Sequence, residues 1–471
     1  MCFAGISSRL VHKNARRSLS ATSLSSPSQR LYQDHVNPQW VRLLDVLQMN
    51  VSYDRCQGAE LFTTGGVRLL DCLSGYCVYN IGHNHPALIR ALTAELARCG
   101  PAMLQSHVPE LAGVLAERLC KLAGGRVNKV FFPSSGSEGV EAAIKFSRAA
   151  TGREALLYCD GAFHGLTCGA LSLMSNPFWR DGFGPMLANT TAVPFGDLAA
   201  LEAKLATGAY AGFITEPIQA EGGICLPAAE YMQQAEALCR RHGTLFVLDE
   251  VQTGLHRTGP FLAAHHYGVE PDMVILAKAL SGGMVPCAAV LMTDEICDAV
   301  YSSVKRAFIH TSTFGENGLA MRAGLATLDV LADEHLGLEG ARKGRILREL
   351  LEARLGKYEM FKAVRGKGML NGIEFQAPSS LGLRMSYAAF QTIHAGLFGQ
   401  MLVMRLFRNQ NILTQVCGNN FMVLKVAPPL MVSEKQIGEI VDAIECVVHD
   451  IHSSTAFWTD ALGLARRALK P

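Results

Sequence analysis

Between about residues 130 and 292 the chain alternates short, unbroken apolar runs with stretches whose apolar residues recur at helical spacing. The runs include Val130–Phe132, Ala211–Thr215, Thr244–Leu248, Met273–Ala277 and Cys287–Met292. Between them lie segments such as Glu138–Ala150 and Ala228–Arg241. A strand with one wet face alternates apolar and polar residues, whereas an unbroken run has both faces covered. The alternation therefore predicts an α/β fold with a mainly parallel sheet between two layers of helices. After about Leu325 the pattern turns to long helices and late strands, Gly372–Phe375 and Met422–Val426. That predicts a large domain over 86–325 and a smaller α+β domain over 326–471. Residues 34–85 carry two strand-like pieces, Leu61–Thr63 and Arg68–Cys72, and are assigned to the small domain.

The first 33 residues read differently. They hold Arg9, Lys13, Arg16, Arg17 and Arg30, eight serines and no acid before Asp34. That is the composition of a transit segment, so 1–33 is read as a disordered or targeting leader. The expected compartment is the cytoplasm, with the mitochondrion as the alternative. A net charge of +2 without a basic run gives nucleic acid nothing to bind. No apolar stretch reaches the roughly 18 residues a membrane span needs. Fourteen cysteines form no C-x-x-C pair, which excludes a zinc ribbon or a dithiol motif and suits a reducing compartment. No metal is expected. His83 and His85 sit in a loop read as having no carboxylate or cysteine partner, and His265-His266 reads as surface.

In open parallel sheets, ligands sit beyond the carboxyl ends of the strands. Glu216 follows the run ending at Thr215, Asp249 follows Leu248, and Lys278 follows Ala277. Each alone is an ordinary helix cap or solvated turn. Together they outline one site. A fourth piece, Ser134-Ser135-Gly136-Ser137-Glu138, stands between a strand and a helix. Ser135 and Glu138 have capping-box spacing, and a helix start with free N–H groups suits a phosphate. It is neither a Walker loop nor a dinucleotide fingerprint. A phosphate cup, a carboxylate and a lysine match the needs of pyridoxal phosphate, which takes a lysine for its Schiff base and an acid against its ring nitrogen.

Seven motifs in register carry a resemblance from about residue 58 to 432. They are Asn80-Ile81-Gly82-His83-Asn84-His85-Pro86, Ser135-Gly136-Ser137-Glu138, Gly161-Ala162-Phe163-His164-Gly165, Glu216-Pro217-Ile218-Gln219-Ala220-Glu221-Gly222-Gly223, Leu248-Asp249-Glu250-Val251-Gln252-Thr253-Gly254, Leu276-Ala277-Lys278-Ala279-Leu280-Ser281-Gly282-Gly283 and Ser312-Thr313-Phe314-Gly315. On these the chain resembles the class III aminotransferases of the ornithine, acetylornithine and 4-aminobutyrate type. Their architecture is that of fold-type I pyridoxal-phosphate enzymes, with a seven-stranded-type sheet in the large domain.

The resemblance implies roles. Lys278 carries the cofactor and moves protons, and Asp249 pairs with the ring nitrogen. Phe163 and Val251 pack on the two ring faces, and Gln252 reaches the ring oxygen. Ser135, Gly136 and Ser137 hold the phosphate; His164 and Glu216 complete the cofactor set. Thr313 reaches the phosphate of a neighbouring subunit, which implies a homodimer with shared sites. Tyr76, Glu221 and Lys425 are the candidates for substrate contact. The implied reaction moves an amino group from an amino acid or ω-amine to an oxo-acid, aldehyde or ketone. An aminomutase, decarboxylase or lyase would keep the same cofactor residues.

Two departures stand out. Gly315-Glu316-Asn317-Gly318 puts an acid where the family commonly has glycine. Lys425 precedes Val426-Ala427-Pro428-Pro429-Leu430, where many members place an arginine for an α-carboxylate. A lysine lacks the planar fork that grips a carboxylate through two bonds. It is expected to pair with an acid such as Glu221 or to face solvent.

Overall fold

The computed structural model describes residues 27–104, 106–391 and 396–469. Seven strands form the central sheet: β1 (Lys129–Phe131), β2 (Ala155–Cys159), β3 (Thr190–Val193), β4 (Tyr210–Thr215), β5 (Leu245–Asp249), β6 (Met273–Leu276) and β7 (Ala289–Met292). Their spatial order is β1-β7-β6-β5-β4-β2-β3. Neighbours from β6 through to β3 run parallel. β7 runs antiparallel to both β6 and β1.

The unbroken apolar runs have the cause the sequence implied. Successive residues pack into different cores on the two sides of the sheet. Ile214, Val247, Ile275 and Val290 join one cluster, with Val140, Ile144 and Phe146 of the helix Gly136–Thr151. Phe213, Leu248, Val274 and Leu291 join the other, with Leu115, Leu119, Tyr231 and Leu238. Burying one such side chain contributes about 1.5–3 kcal/mol. A polar residue in these runs would therefore disrupt whichever face it met. The helices stop where the chain offers glycine. Gly152 and Gly243 follow Gly136–Thr151 and Tyr231–His242, each with φ in the left-handed region.

Beyond the long helices Gly318–Asp333 and Leu336–Leu355 stands an antiparallel sheet. Its strands are β8 (Phe361–Lys367), β9 (Leu370–Phe375), β10 (Gln415–Cys417) and β11 (Asn420–Val426), in the order β8-β9-β11-β10. A third sheet joins the strands Tyr53–Gln57, Glu60–Thr63 and Arg68–Asp71 to Ile412–Leu413, which pairs in parallel with the last of them. The helix Thr455–Leu469 closes the described chain and inserts Phe457, fully buried. Of the expected leader, residues 1–26 lie outside the described residues. Pro27–His35 is a helix. Among the described residues no helix is long and apolar enough to cross a membrane.

Candidate active site

The strand ends meet as the topology requires. Asp249 ends β5, Glu216 follows β4, and Lys278 stands two residues past β6. All three line one cavity of about 500 Å³, together with Ser134, Ser135, Gly136, Ser137, Phe163, His164, Val251 and Gln252.

The phosphate cup is a helix start. The Ser135 hydroxyl accepts from the Glu138 N–H (3.3 Å). Glu138 does not return the bond to Ser135, as a capping box would. Its carboxylate accepts from the N–H one residue earlier, at Ser134 (2.9 Å). Two glycines are required here. A Cβ on Gly136 would lie 3.0 Å from both Val251 methyls. A Cβ on Gly165, whose φ is +123°, would lie 2.1 Å from the Ser137 hydroxyl oxygen. Backbone thus crowds the cup on both sides and leaves the space between for a ligand.

Lys278 sits at φ +45°, an unusual backbone for a lysine, and makes no hydrogen bond or ion pair with a described residue. Burial holds its ammonium below the ordinary range, although Asp249 pulls the other way. Burial that favours the neutral amine is what lets a lysine act as a nucleophile. Asp249 is buried and held on both sides: Oδ1 accepts from the Val251 N–H (3.0 Å), and Oδ2 lies 2.8 Å from His164 Nδ1. Burial alone would lower the His164 pKa, yet the bond to Asp249 and that residue's charge raise it. His164 Nε2 is buried without a partner.

Glu216 lines the cavity with both carboxylate oxygens engaged. Its Oε1 accepts from the Phe163 N–H (3.1 Å) and its Oε2 from the Ala220 N–H (3.0 Å). Both oxygens therefore hold backbone. Burial and the nearby Asp249 push its pKa up to about 7, against the pull of His164 and the two N–H groups. Phe163 faces the cavity and meets Trp179 edge-on, with ring centroids 5.3 Å apart.

The substrate candidates form a second layer. Gln252 lines the cavity and donates Nε2–H to Glu221 (3.1 Å), leaving Gln252 Oε1 buried without a partner. Lys425 is fully buried and ion-paired to Glu221, the first of the two arrangements its sequence allowed. The Glu221 pKa is lowered: burial would raise it, but the Lys425 charge and hydrogen bond, the Gly418 N–H and Gln252 prevail. Lys425 Nζ lies 5.3 Å from the centre of the Tyr76 ring. Tyr76 is presented by a left-handed turn in which Ser74, Gly75, Tyr76 and Cys77 all have positive φ. None of Tyr76, Glu221 and Lys425 lines the Lys278 cavity; they reach it through Gln252.

Thr313 is not brought to the cup within one chain. It lines a separate cavity of about 780 Å³, with Met103, Leu104, Phe308, His310 and Glu316. Glu316 is exposed at φ +60°, lines the same cavity as Thr313 and pairs with no described base. The histidine reading needs correcting. His83 Nε2 lies 2.7 Å from Asp71 and His85 Nε2 lies 3.0 Å from Glu334, so each has one carboxylate partner. The reason is tertiary: Asp71 is one strand end away, and Glu334 is far along the chain. No cluster of three or more metal-ligating residues occurs among the described residues.

Sequence reasoning missed Trp179 and Asn419. The turn signal of Gly418-Asn419 was readable, but not that the turn tip returns to the site. The cavity suits pyridoxal phosphate on its own geometry: an unpaired lysine opposite a held carboxylate, a helix start with glycine-lined clearance, and a Gln252 amide that has given only one of its two N–H donors.

Comparison with known proteins agrees. The family described as Aminotransferase class-III matches residues 44–448. The putrescine aminotransferase of Pectobacterium atrosepticum is 34% identical over 437 residues, covering 90% of this chain and 88% of that protein. The aminotransferase PigE of a Serratia species is 33% identical over 452 residues, 89% of this chain; the chain spans about half (53%) of that protein's length. The ornithine aminotransferase structure from Toxoplasma gondii, with partial occupancy of PLP, superposes with a TM-score of 0.80 at 27% identity, covering 91% of this chain and 96% of that one.

Proposed function

The chain belongs to the class-III aminotransferases, pyridoxal-phosphate-dependent enzymes that move an amino group from a small-molecule donor to an oxo acceptor, and from that premise we propose how its residues divide the work and which donors it takes. When bound, the cofactor supplies a carbonyl for the lysine and a ring that stores the electron pair released at the donor's carbon. Lys278 holds the cofactor and moves the proton at the donor carbon once the donor has displaced it. Asp249, fixed by His164 and the Val251 N–H, keeps the ring nitrogen protonated. Ser135, Gly136 and Ser137 hold the phosphate with the helix start behind them. Phe163 and Val251 confine the ring. Gln252 offers its second N–H to the ring oxygen. Thr313 completes the phosphate site of a second copy of this chain.

The donor is an amine or ω-amino compound whose reacting amino group is remote from a carboxylate. The observation behind this is the buried pair of Lys425 and Glu221. An α-carboxylate entering there would have to displace Glu221 and then bind a point charge in place of a guanidinium fork. The name of the Pectobacterium relative points the same way.

The test is the visible spectrum of the holoenzyme as single donors are added without an acceptor, with Lys278→Ala beside it. Diamines and ω-amino acids should convert the cofactor band to the pyridoxamine form, with α-amino acids at least tenfold less effective. Conversion by α-amino acids alone would overturn the donor assignment. A band that no donor converts would favour a mutase, decarboxylase or lyase. Lys278→Ala should lack the band altogether.

A further inference from the structure

Asn419 stands at the tip of the hairpin between β10 and β11, far along the chain from Lys278, and its side chain spends every hydrogen bond it has on segments behind the cavity wall. Its backbone N–H donates to Glu221 O (2.9 Å). Its side-chain Nδ2 donates to Gly161 O (2.9 Å) and Ala162 O (3.3 Å), the two residues before Phe163. Its Oδ1 accepts from Asn176 Nδ2 (2.8 Å) and from the Trp179 indole N–H (3.0 Å). An amide side chain has two donors and two acceptor sites, and all four are used. Its orientation is fixed too, because a flipped amide would set donor against donor and acceptor against acceptor. The neighbouring Gly418 N–H donates to Glu221 Oε2 (2.8 Å). A Cβ at 418 would meet that oxygen at 3.2 Å and the Trp179 ring at 3.4 Å, so the tip is docked closely.

We propose that Asn419 is a positioning residue for the transamination: its side chain sets the loop that carries Phe163 and His164 and the Trp179 edge against Phe163, while its backbone N–H holds Glu221. The inference rests on the cofactor reading above. Phe163 stacks on the ring and His164 holds Asp249, so loosening Gly161 and Ala162 loosens both cofactor contacts together. Trp179 has a second support, its ring contact with Phe163, and depends less on Asn419. The two arms are therefore separable. Asn419→Asp keeps an acceptor for Trp179 and Asn176 but places a carboxylate against the Gly161 and Ala162 carbonyls. Trp179→Phe keeps a ring beside Phe163 and removes the indole N–H together with the outer part of the fused ring.

The experiment uses purified holoenzyme of Asn419→Ala, Asn419→Asp and Trp179→Phe. The readouts are the rate of pyridoxal phosphate release, the visible circular dichroism of the bound cofactor, and KM and kcat for a responding amine. Both Asn419 variants should release cofactor at least tenfold faster, with a weakened visible dichroism. Trp179→Phe should release it within twofold of the unsubstituted rate and raise the amine KM about threefold with kcat little changed. Unchanged release and dichroism in folded Asn419 variants would overturn the proposal and make the hub a fold staple only. If Asn419→Ala does not fold, Asn419→Asp decides alone. Absence of a cofactor band in the unsubstituted protein would instead sink the cofactor reading, a result distinct from the others.

Discussion

Glu216 holds two backbone N–H groups yet keeps its proton to about pH 7. An unfolded glutamate releases its proton near the ordinary 4.5. Between those values the folded chain binds more protons than the unfolded one, so stability falls as pH rises through the window. The contribution is fully present below the unfolded value and is lost by about pH 7, on the order of 3 kcal/mol for a shift of that size at a buried site. Glu216→Gln should flatten this slope. Urea unfolding of the cofactor-free protein at steps from roughly pH 5 to pH 7.5 reads it; an equal slope in both proteins would count against the assignment. Gly165 gives a sharper case. Alanine there combines φ +123° with a Cβ 2.1 Å from the Ser137 hydroxyl, so Gly165→Ala should cost about 1–3 kcal/mol and empty the phosphate cup. Thermal unfolding and equilibrium dialysis of cofactor would show it. Lys278, Asp249 and Glu216 were legible together, because three ionisable residues at the carboxyl ends of neighbouring parallel strands fall at one place, although each alone reads as a cap or turn. Which backbone Glu216 holds was not legible, because it depends on a loop some fifty residues earlier.

Among the elements, the buried ion pair between β11 and the segment after β4 carries the specificity argument. Lys425 on β11 is fully buried, and its pairing with Glu221 raises its pKa against the opposing effect of burial. Removing one member strands the other charge, so Lys425→Met should destabilise by about 3–5 kcal/mol. Removing both, in Glu221→Gln with Lys425→Met, should restore most of that loss. A double-mutant cycle from urea unfolding decides it, and purely additive losses would mean that the two charges do not depend on each other. Elements were readable to within a residue or two where one period dominates: Glu138–Ala150 became Gly136–Thr151, and Thr244–Leu248 became Leu245–Asp249. Of the pairings across the chain, Lys425 with Glu221 was among those the sequence offered, but others were not readable. His83 finds Asp71 because loop closure rather than spacing sets that contact, while the Glu138 carboxylate makes a local bond to the Ser134 N–H in place of the Ser135 one. The left-handed turn Ser74–Cys77 was likewise hidden, since three of its four residues are not glycine. Asp71 accepts from the Leu73 and Ser74 N–H groups, and Ser74 donates to Ala427 O, which together hold the turn.

At the scale of the whole molecule, one surface does not match a protein that ends at its own boundary. The central sheet is covered on both faces, so its apolar content is accounted for within the chain. Yet Val108 and Phe308 are 85% and 80% exposed, and Met103, Leu104, Ile309 and Phe314 are exposed beside them in sequence. The segments that carry them meet at the cavity holding Thr313. An apolar surface converging on a phosphate-binding candidate that its own cup does not reach is the pattern expected of an interface that completes a site. The reading of a homodimer with shared sites makes three linked predictions. The holoenzyme should run at twice 50.9 kDa by light scattering. Phe308→Asp should shift it toward the single-chain mass and weaken pyridoxal phosphate binding at least tenfold, because burying a carboxylate in an apolar contact costs several kcal/mol. Thr313→Ala should weaken cofactor binding while leaving the mass unchanged. A monomeric Phe308→Asp protein that binds cofactor as tightly as the unsubstituted one would separate the interface from the site and remove Thr313 from the phosphate set.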